Sequence, residues 1–428
     1  MKNKQILEIL KAEVKPALGC TGPISVAFAA AAAKDAVGGA PTEVRLLMDK
    51  DTYKNSIAVV TPGTPFMGVV KPAVTGAMYG DSSLGLEVLK NMKDFDAAKV
   101  EEFAEKHARL EIKWDYAGMG VYIEAYVTTE NGTGHVIVAK SHANAVFIEA
   151  NGKVLKRDDA YFCGDQEFEA KSPIRNYTVR DFYRFAKETD YEDIAFLQEA
   201  LDINLKLSGA GLNNKLGAGI GAAFDSFTGD PTYLKAKALA AAASDARMSG
   251  ENLSAMSCAS SGNVGITASV PLIPVAEQYG CGEEALVRGV ALSYLMTIYI
   301  KSHIGRLSAM CACAMAAGIG IGCGASLIMD DDYEKIVMTI KNIVGSIGGV
   351  LCDGAKFGCA MKLASAAGIA LESAKLASMG ACVPDGDGIV CYDADETIAM
   401  LGRIAAKGML ETDTYMCREI IEREKERR

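Results

Sequence analysis

Strand-type patterning is confined to one stretch of this chain, from about residue 42 to residue 159, and this restriction limits the folds that the chain can adopt. Within the stretch, β-branched and aromatic residues run together or alternate with polar ones. Asn131-Gly132 and Asn151-Gly152 are typical of two-residue hairpin turns, so we expect a mainly antiparallel sheet. A charged helix is expected over residues 94–107. The predicted strands are Val44–Met48, Leu110–Trp114, Gly120–Val127, His135–Val138 and Asn144–Glu149.

Beyond residue 172, long stretches rich in alanine, leucine and glycine replace the strand patterns. We therefore predict an α+β fold with two domains. An N-terminal α/β domain, residues 1–175, contains the sheet, and an all-α domain, residues 176–428, houses the functional site. The opening residues favour a helix that the segment Pro16–Pro23 breaks in two. This turn is expected to present Cys20 and Thr21 beside exposed backbone N–H groups.

Charge and the N-terminal sequence restrict the setting and the partners. A net charge of −10 and a pI near 5.2 disfavour nucleic acid, whose phosphates would be repelled. Two uncharged segments, residues 253–276 and 307–329, are long enough to span a bilayer, but their small and polar residues indicate packed helices, so no membrane contact is expected. The charged N-terminal segment lacks the features of a signal peptide, and we expect a cytoplasmic protein.

The twelve cysteines are the candidates for chemistry, although most free cysteines in a reducing compartment are simply buried. Cys352 and Cys359 bound a segment with two glycines, which allow the backbone to curl and the two thiolates to converge. Cys311 and Cys313 precede a run of alanine and glycine. On a regular helix these two would point to different faces, so one would be a ligand and the other part of the core.

Zinc, dinucleotide and pyridoxal phosphate sites are the alternatives to an iron–sulfur cluster. Structural zinc sites usually draw cysteines from tight C-x2-C knuckles, and this chain has none with a matching second pair. The glycine-rich segments 217–221 and 318–322 do not fit a dinucleotide motif, and no lysine stands in a pyridoxal phosphate motif. A cluster tolerates thiols from separated elements, and three thiolates would leave one iron open to a substrate.

The chain has four histidines, of which His303 alone lies near the candidate cysteines in sequence. We therefore predict that His303 lines the site. His107 belongs to the charged helix. His135 and His142 lie in the β region, where solvated or packed roles are expected.

Three separated motifs resemble the L-cysteine desulfidase family and, more distantly, the iron–sulfur L-serine dehydratases. They are Glu13–Pro23, Gly305–Cys311 and Cys352–Cys359, and they follow the family's order along the chain. The resemblance covers essentially the whole chain. It implies a [4Fe-4S] cluster whose ligands correspond by position to Cys311, Cys352 and Cys359. In the dehydratases a serine- and histidine-rich loop precedes Thr-x-Gly-Pro. This chain has Cys20 near the place of that histidine. The resemblance therefore implies that Cys20 is either a fourth ligand of the cluster or the base that removes a proton from the substrate.

The segment Ser260–Thr267 resembles the small-residue substrate loop of the dehydratases. The resemblance implies that this loop holds an amino acid, with countercharge from a nearby lysine or arginine. An ordinary helix-capping loop is the alternative. The implied substrate-binding residues are Thr21, Ser260, Ser261, Gly262, Asn263, Thr267, Lys301 and Arg306.

These implications define an expected reaction. The protein is expected to eliminate sulfide from L-cysteine and leave pyruvate and ammonia, with an open iron acting as a Lewis acid and a protein base, Cys20 or His303, removing the α-proton. The same chemistry on L-serine is one alternative, and a metal-free protein that senses small amino acids is another. The expected partner is a small amino acid, and a homodimer is the assembly that we consider.

Overall fold

The computed structural model describes residues 2–18, 21–116, 120–163, 172–214, 216–305 and 307–426. Its strands are β1 (Val14–Leu18), β2 (Pro41–Asp49), β3 (Ala108–Lys113), β4 (Tyr122–Thr129), β5 (Gly132–Ala139), β6 (Ala145–Ala150), β7 (Lys153–Arg157) and β8 (Ser254–Cys258). Its helices are α1 (Lys2–Glu13), α2 (Thr21–Val37), α3 (Lys50–Lys54), α4 (Val70–Tyr79), α5 (Ala97–His107), α6 (Asp159–Cys163), α7 (Val179–Glu188), α8 (Tyr191–Ile194), α9 (Leu197–Asn214), α10 (Ile220–Asp225), α11 (Pro231–Met248), α12 (Gly262–Thr267), α13 (Leu272–Gln278), α14 (Glu283–Ile304), α15 (Gly318–Asp330), α16 (Tyr333–Ile347), α17 (Cys359–Ser378), α18 (Ala394–Arg403) and α19 (Leu410–Glu426). Short 3₁₀ turns lie at Ser82–Glu87 and Pro173–Asn176, and π-helical turns lie at Cys313–Ala317 and Ile404–Gly408.

The main sheet has six strands in the order β3-β2-β4-β5-β6-β7. β2 and β3 are parallel, and every other neighbouring pair is antiparallel. The predicted strands correspond to β2 through β6, and β7 extends the sheet by one edge strand. At the β6–β7 hairpin, Asn151 and Gly152 have φ of +54° and +80°, the left-handed geometry that the Asn-Gly pattern predicts. The prediction of a mainly antiparallel sheet is therefore confirmed.

The alanine-rich helix α2 packs across the sheet and is covered on its other side by α4. Close approach is possible because Gly134 in β5 has no side chain: a Cβ there would lie 1.9 Å from the carbonyl oxygen of Ala33. Six alanines of α2, at positions 27 and 29–33, are buried, and such small side chains let neighbouring backbones pack without voids. Since α2 begins at Thr21, the same packing fixes where this residue lies.

The C-terminal part is largely helical and is built around α14, which is buried along most of its length. α15 packs on α14 and also contacts α16 and α17. Within the described residues, the segment Cys313–Asp330 is long and apolar enough to cross a membrane by length and composition, but 72% of it is buried inside the protein. The α+β class is confirmed, with the short strand β8 as a departure from the all-helical character that was expected.

Both ends of the described chain cross to the other part. β1 pairs antiparallel with β8, from Val14 opposite Cys258 to Leu18 opposite Ser254, and α1 packs against α14. At the other end, α19 contacts α3. Pro16, which was expected in a turn, lies in β1, because proline is excluded from a helix interior but tolerated in a short edge strand. The domain boundary near residue 175 stays a prediction.

Candidate active site

A cavity of about 120 Å³ lies where the helical part faces the sheet-containing part. The helical part contributes cysteines and a group of polar residues. The sheet-containing part contributes Thr21, Asn55 and the loop Lys140–His142. The predicted site residues that line the cavity are Thr21, Ser260, Ser261, Asn263, Lys301, Cys311, Cys352 and Cys359.

Backbone pairing brings Cys311 and Cys352 together although they are distant in sequence. The residues that precede the two cysteines form an antiparallel bridge. The amide of Cys311 donates to the carbonyl oxygen of Val350 at 2.8 Å, and the amide of Cys352 donates to that of Ala309 at 2.7 Å. As a result, the two thiols lie close enough to influence each other's pKa.

Cys359 reaches the same cavity at the start of α17, after a loop that begins at Cys352. Gly354 makes this loop possible, because its φ is +91° and a Cβ there would lie 2.1 Å from the carbonyl oxygen of Lys54. Gly358 has an ordinary helical φ of −62°. Only one of the two glycines in the segment is therefore required for the curl that the sequence predicted.

Lysines surround the cysteine loop. Lys356 and Lys362 both donate to the carboxylate of Asp353, and Lys362 also donates to the carbonyl oxygen of Leu351 at 2.5 Å. Lys54 lies behind the loop and is only 2% exposed. Positive charge close to thiols favours their ionised form, so this part of the cavity wall suits an anionic centre.

Cys313 also lines the cavity, which differs from the expectation for a regular helix. Residues 313–317 form a π-helical turn instead of an α-helical one. The Cys313 thiol is close enough to Cys311 to raise the pKa of Cys311. Cys311 precedes this turn and lies outside any helix, so helical geometry does not send the two cysteines to different faces, and both line the cavity.

The cavity thiols are weak acids in this setting. Hydrogen bonding with Cys313, together with burial, raises the pKa of Cys311 to about 12. Contact with Cys311 and burial raise the pKa of Cys352 well above its ordinary value, and burial raises the pKa of Cys359. A metal centre would therefore displace protons when it binds these thiols, as is usual for cysteine ligands.

The spacing of the three sulfurs bears on the kind of centre that they fit. Within the described part of the chain, the sulfurs of Cys311, Cys352 and Cys359 are not all within 4.8 Å of one another. Bonds of 2.3 Å to a single zinc ion would hold its ligands within about 4 Å of each other. The three sulfurs as placed here do not have the ligand spacing of a single bound zinc ion.

Ser260 reaches the cavity from a turn of uncommon backbone geometry. Ala259 and Ser260 have φ of +47° and +66°, in the left-handed region that residues other than glycine rarely adopt. The turn closes the end of β8, because backbone hydrogen bonds of 3.1 Å link Cys258 and Ser261 in both directions. Strain of this kind persists where the surroundings hold it, and it often marks a functional site.

Ser261 begins α12 without capping it. It occupies the N-cap position, yet its side chain makes no capping hydrogen bond, and it lines the cavity. This geometry does not support an ordinary capping loop. Thr267 is the last residue of α12, where it is fully buried and donates to the carbonyl oxygen of Asn263 at 2.7 Å. Thr267 is not one of the described residues that line the cavity.

Arg247 is a cavity residue that the sequence analysis missed, because it lies in the alanine-rich helix α11 and no motif marks it. It is 4% exposed, and its Nη1 donates to Oδ1 of Asn263 at 3.1 Å. Gly262 leaves room for it, since a Cβ there would lie 2.4 Å from Nε of Arg247. Lys301, also buried, donates to the carbonyl oxygen of Ala259 at 2.5 Å. Two buried cations beside serine hydroxyls are suited to a carboxylate.

His142 lines the cavity from the other side, although the sequence analysis expected a solvated or packed role for it. It lies in the loop between β5 and β6, and its carbonyl oxygen accepts a hydrogen bond of 2.6 Å from Oγ of Ser25. Lys140 in the same loop has φ of +68°. A polar loop set between two strands was the available signal, because binding residues concentrate on such loops.

His303 is not brought to the cavity. It packs against α18, where a Cβ on Gly402 would lie 2.8 Å from its own Cβ. Burial, with Arg175 and Arg403 nearby, lowers the pKa of His303 to about 4. Cys20 and Arg306 lie outside the described residues, and their roles stay predictions.

A second group of ligand-type side chains lies behind the cysteine loop. Asp51, Asp413 and Cys417 place their ligand atoms within 4.8 Å of one another. Nζ of Lys54 lies 2.5 Å from Asp413 and 3.4 Å from Asp51, and Lys50 pairs with the other Asp413 oxygen. Because ammonium groups already contact these carboxylates, we interpret the group as an ion-pair network.

Comparison with known proteins identifies the family. The serine dehydratase alpha chain pattern matches residues 83–418, which include Cys311, Cys313, Cys352 and Cys359 but not Cys20. A UPF0597 protein of Caldanaerobacter subterraneus is 36% identical over 408 residues, which cover 95% of this chain and 96% of that protein. A UPF0597 protein of Clostridium tetani is 36% identical, with 98% of each chain covered. One of Chromobacterium violaceum is 36% identical, with 96% of each covered. These matches confirm the resemblance to the dehydratases, and the chain belongs to the serine dehydratase alpha-chain family of lyases.

Proposed function

We propose that this protein is an iron–sulfur-dependent desulfidase that eliminates sulfide from L-cysteine and leaves pyruvate and ammonia. The observation that carries the proposal is that Cys311, Cys352 and Cys359, from separate segments, line one cavity together with Arg247 and Ser260. Membership of a lyase family supports an elimination. The motif resemblance to the desulfidases favours cysteine as the substrate.

The donor set fits a [4Fe-4S] cluster. Three thiolates around a cavity would hold three irons and leave one accessible to a small molecule. When bound, such a cluster supplies a Lewis acid for the β-substituent of the substrate. Lys54 and Lys362 would offset the negative charge that the thiolates bring, since both lie close to the cysteine loop.

The polar wall of the cavity would bind and orient the amino acid. Arg247 and Lys301 would pair with its carboxylate, and the hydroxyls of Ser260 and Ser261 would donate further hydrogen bonds. Asn263 holds the Arg247 side chain in place through its 3.1 Å hydrogen bond. A cavity of about 120 Å³ limits the substrate to a small amino acid.

His142 is the described imidazole that lines the cavity, and imidazole is the commonest general base. In the proposed reaction this imidazole accepts the α-proton, the Cβ–S bond breaks with its electron pair leaving on sulfur, and 2-aminoacrylate forms. Water then hydrolyses the 2-aminoacrylate to pyruvate and ammonia. Cys20 is the alternative base, or a fourth cluster ligand, as the family resemblance implies.

Replacement of Cys352 by alanine tests the proposal. We expect the protein, purified and reconstituted without oxygen, to bind iron and acid-labile sulfide and to release sulfide and pyruvate from L-cysteine. The Cys352→Ala variant is expected to lose bound iron and lyase activity together, because a thiolate ligand is removed. Cys323→Ala is the matched control: Cys323 is fully buried in α15, and its loss is expected to leave both readouts near those of the unchanged protein.

Two results would contradict the proposal. One is sulfide release from L-cysteine by a protein that holds no iron. The other is a Cys352→Ala variant that keeps its full iron content and activity.

L-Serine is the second candidate substrate, because the family whose pattern matches this chain is the serine dehydratase alpha chain. The two amino acids differ only in the leaving group, so the same cavity could serve either. The ratio of kcat/KM for the two substrates decides between them. Turnover of L-serine equal to or greater than that of L-cysteine would replace the desulfidase assignment by a dehydratase one.

A further inference from the structure

We propose that Lys54, anchored by Asp413 of the C-terminal helix, is a positioning residue that holds a buried positive charge behind Cys352 and so stabilises the cluster on the cysteine loop. This inference rests on the proposed function, because it concerns how the chain holds the proposed cluster. Lys54 lies in α3, far in sequence from the cysteines, and no motif of the sequence marks it.

Contacts between Lys54 and the cysteine loop place this charge. A Cβ on Gly354 would lie 2.1 Å from the carbonyl oxygen of Lys54 and 3.1 Å from its Cγ, so the loop rests directly on this residue. A parallel bridge between Ala58 and Lys356 fixes the loop a few residues on. Cys352 and Lys54 interact electrostatically across this contact. Lys54 therefore packs against the cysteine loop without being one of the described residues that line the substrate cavity.

Two helices anchor the Lys54 ammonium. Its Nζ lies 2.5 Å from Oδ1 of Asp413 in α19 and 3.4 Å from Oδ1 of Asp51 in α3. Lys50 pairs with the other oxygen of Asp413 and lies 3.0 Å from Asp51. The side chains of Lys54 and Asp413 are 1% and 5% exposed, whereas that of Lys50 is 14% exposed. The two lysines thus share one carboxylate, but Lys54 is the more deeply buried and packs against the cysteine loop.

The energetic reason for such a charge is the negative charge of a thiolate-bound cluster. A buried cation interacts with it through a medium of low dielectric, where Coulomb interactions are several times stronger than in water. Reduction adds an electron, so a nearby cation also favours the reduced state, and net charge is one of the factors that set cluster potentials. Lys356 and Lys362 share Asp353 on the more exposed side of the loop, so Lys54 is the most deeply buried of the three lysines that contact this loop.

The decisive experiment separates the effect on the cluster from the effect on folding. Lys54→Met alone leaves Asp413 short of a partner and is expected to destabilise the fold. The double variant Lys54→Met with Asp413→Asn removes both charges of the pair and leaves the Lys50–Asp51 pair in place, so the apo protein is expected to unfold close to the temperature of the unchanged apo protein. Lys50→Met, which removes a lysine from the same carboxylate but not from the loop, is the matched control. Lys54→Arg keeps the charge.

Iron release and redox potential are the readouts on reconstituted holoprotein under anoxic conditions. We expect the double variant to release iron to a ferrous chelator about tenfold faster than the unchanged protein, the lower end of what loss of an outer-shell partner usually costs a metal site. Its midpoint potential is expected to move to a more negative value, because a cation has been removed. Lys50→Met and Lys54→Arg are expected to stay near the unchanged protein in both readouts.

The inference would be overturned if the double variant and the unchanged protein had the same rate of iron release and the same midpoint potential. Lys54 would then be only an ion-pair partner of Asp413. The same shift in Lys50→Met as in the double variant would also overturn it, because the effect would then belong to the network and not to Lys54. If the unchanged protein itself takes up no iron, the proposed function fails and this inference fails with it, which is a distinct outcome from equal behaviour of iron-loaded proteins.

Discussion

The left-handed turn at Ser260 leads to a prediction in which the usual order of two substitutions is reversed. Ser260 has φ of +66°. A residue with a Cβ is destabilised there by about 1–2 kcal/mol relative to glycine, whereas glycine ordinarily costs about 0.5–1 kcal/mol relative to alanine through its greater freedom in the unfolded chain. The difference predicts that Ser260→Gly is more stable than Ser260→Ala by roughly 0.5–1 kcal/mol.

Ser226 provides the matched control. It follows α10 with φ of −88° in the right-handed region, and it is exposed. At this position Ser226→Gly is expected to be less stable than Ser226→Ala by about 0.5–1 kcal/mol. The four variants are compared as apo proteins by equilibrium urea unfolding, and the free energies of unfolding are expected to rank glycine above alanine at residue 260 and below it at residue 226.

Activity separates strain from chemistry at the same position. Both substitutions at Ser260 remove a hydroxyl that lines the cavity, so both are expected to lower kcat/KM, while only the glycine variant gains stability. Such a gain without activity is typical of strained functional positions. A Ser260→Gly variant less stable than Ser260→Ala would refute the reasoning, because the residue would then not be held in the left-handed region.

Two further predictions concern the sheet. Burial would raise the pKa of Glu124, but hydrogen bonds from His135, Tyr122 and Tyr126 outweigh it and lower that pKa from 4.5 to about 2. Glu124 therefore contributes stability that is complete above pH 4.5 and is lost as the pH falls towards 2. Glu124→Gln is expected to make the free energy of unfolding less dependent on pH in this acid range. An unchanged pH dependence would contradict this prediction. Gly134→Ala is expected to lower the free energy of unfolding by about 1–3 kcal/mol, because the added Cβ forces α2 away from the sheet. The control is Gly209→Ala in α9, where no atom lies within 4 Å of the added Cβ, and this change is expected to raise the free energy of unfolding by about 0.5–1 kcal/mol. Equal effects of the two substitutions in urea unfolding would contradict the packing argument.

The main sheet could be predicted because its signals are local. Alternation and β-branched residues mark β2 and β4 within a few residues, and Asn-Gly at residues 151–152 marks a hairpin without reference to distant parts of the chain. The pairing of β1 with β8 could not be predicted in this way. Val14–Leu18 contains a proline, Ser254–Cys258 consists of small residues except for Met256, and the two segments are distant in sequence. Only tertiary packing makes strands of them.

The candidate site divides along the same line. Cys352 and Cys359 could be proposed as a pair because the loop that joins them is short and carries Gly354 where a positive φ is needed. Cys313 was separated from Cys311 on the assumption that both lie on one regular helix, whereas Cys311 precedes the helix and a π-helical turn begins only at Cys313. His142 comes to the cavity through sheet packing, which no local spacing reports.

The strained turn and the crossing of the chain ends are connected. The amide of Ala259 donates to the carbonyl oxygen of Glu13 at 3.0 Å, and the carbonyl oxygen of Ala259 accepts from Lys301 at 2.5 Å. The turn is thus held on one side by the N-terminal segment and on the other by α14. Left-handed residues other than glycine persist only where such contacts fix them, so the crossing of β1 into the helical part has a function beyond burial: it keeps Ser260 directed at the cavity. The same reasoning applies to the C-terminal helix α19, which crosses back and pairs Asp413 with Lys54 beside the cysteine loop. Both walls of the cavity therefore depend on segments that belong to the opposite part of the fold.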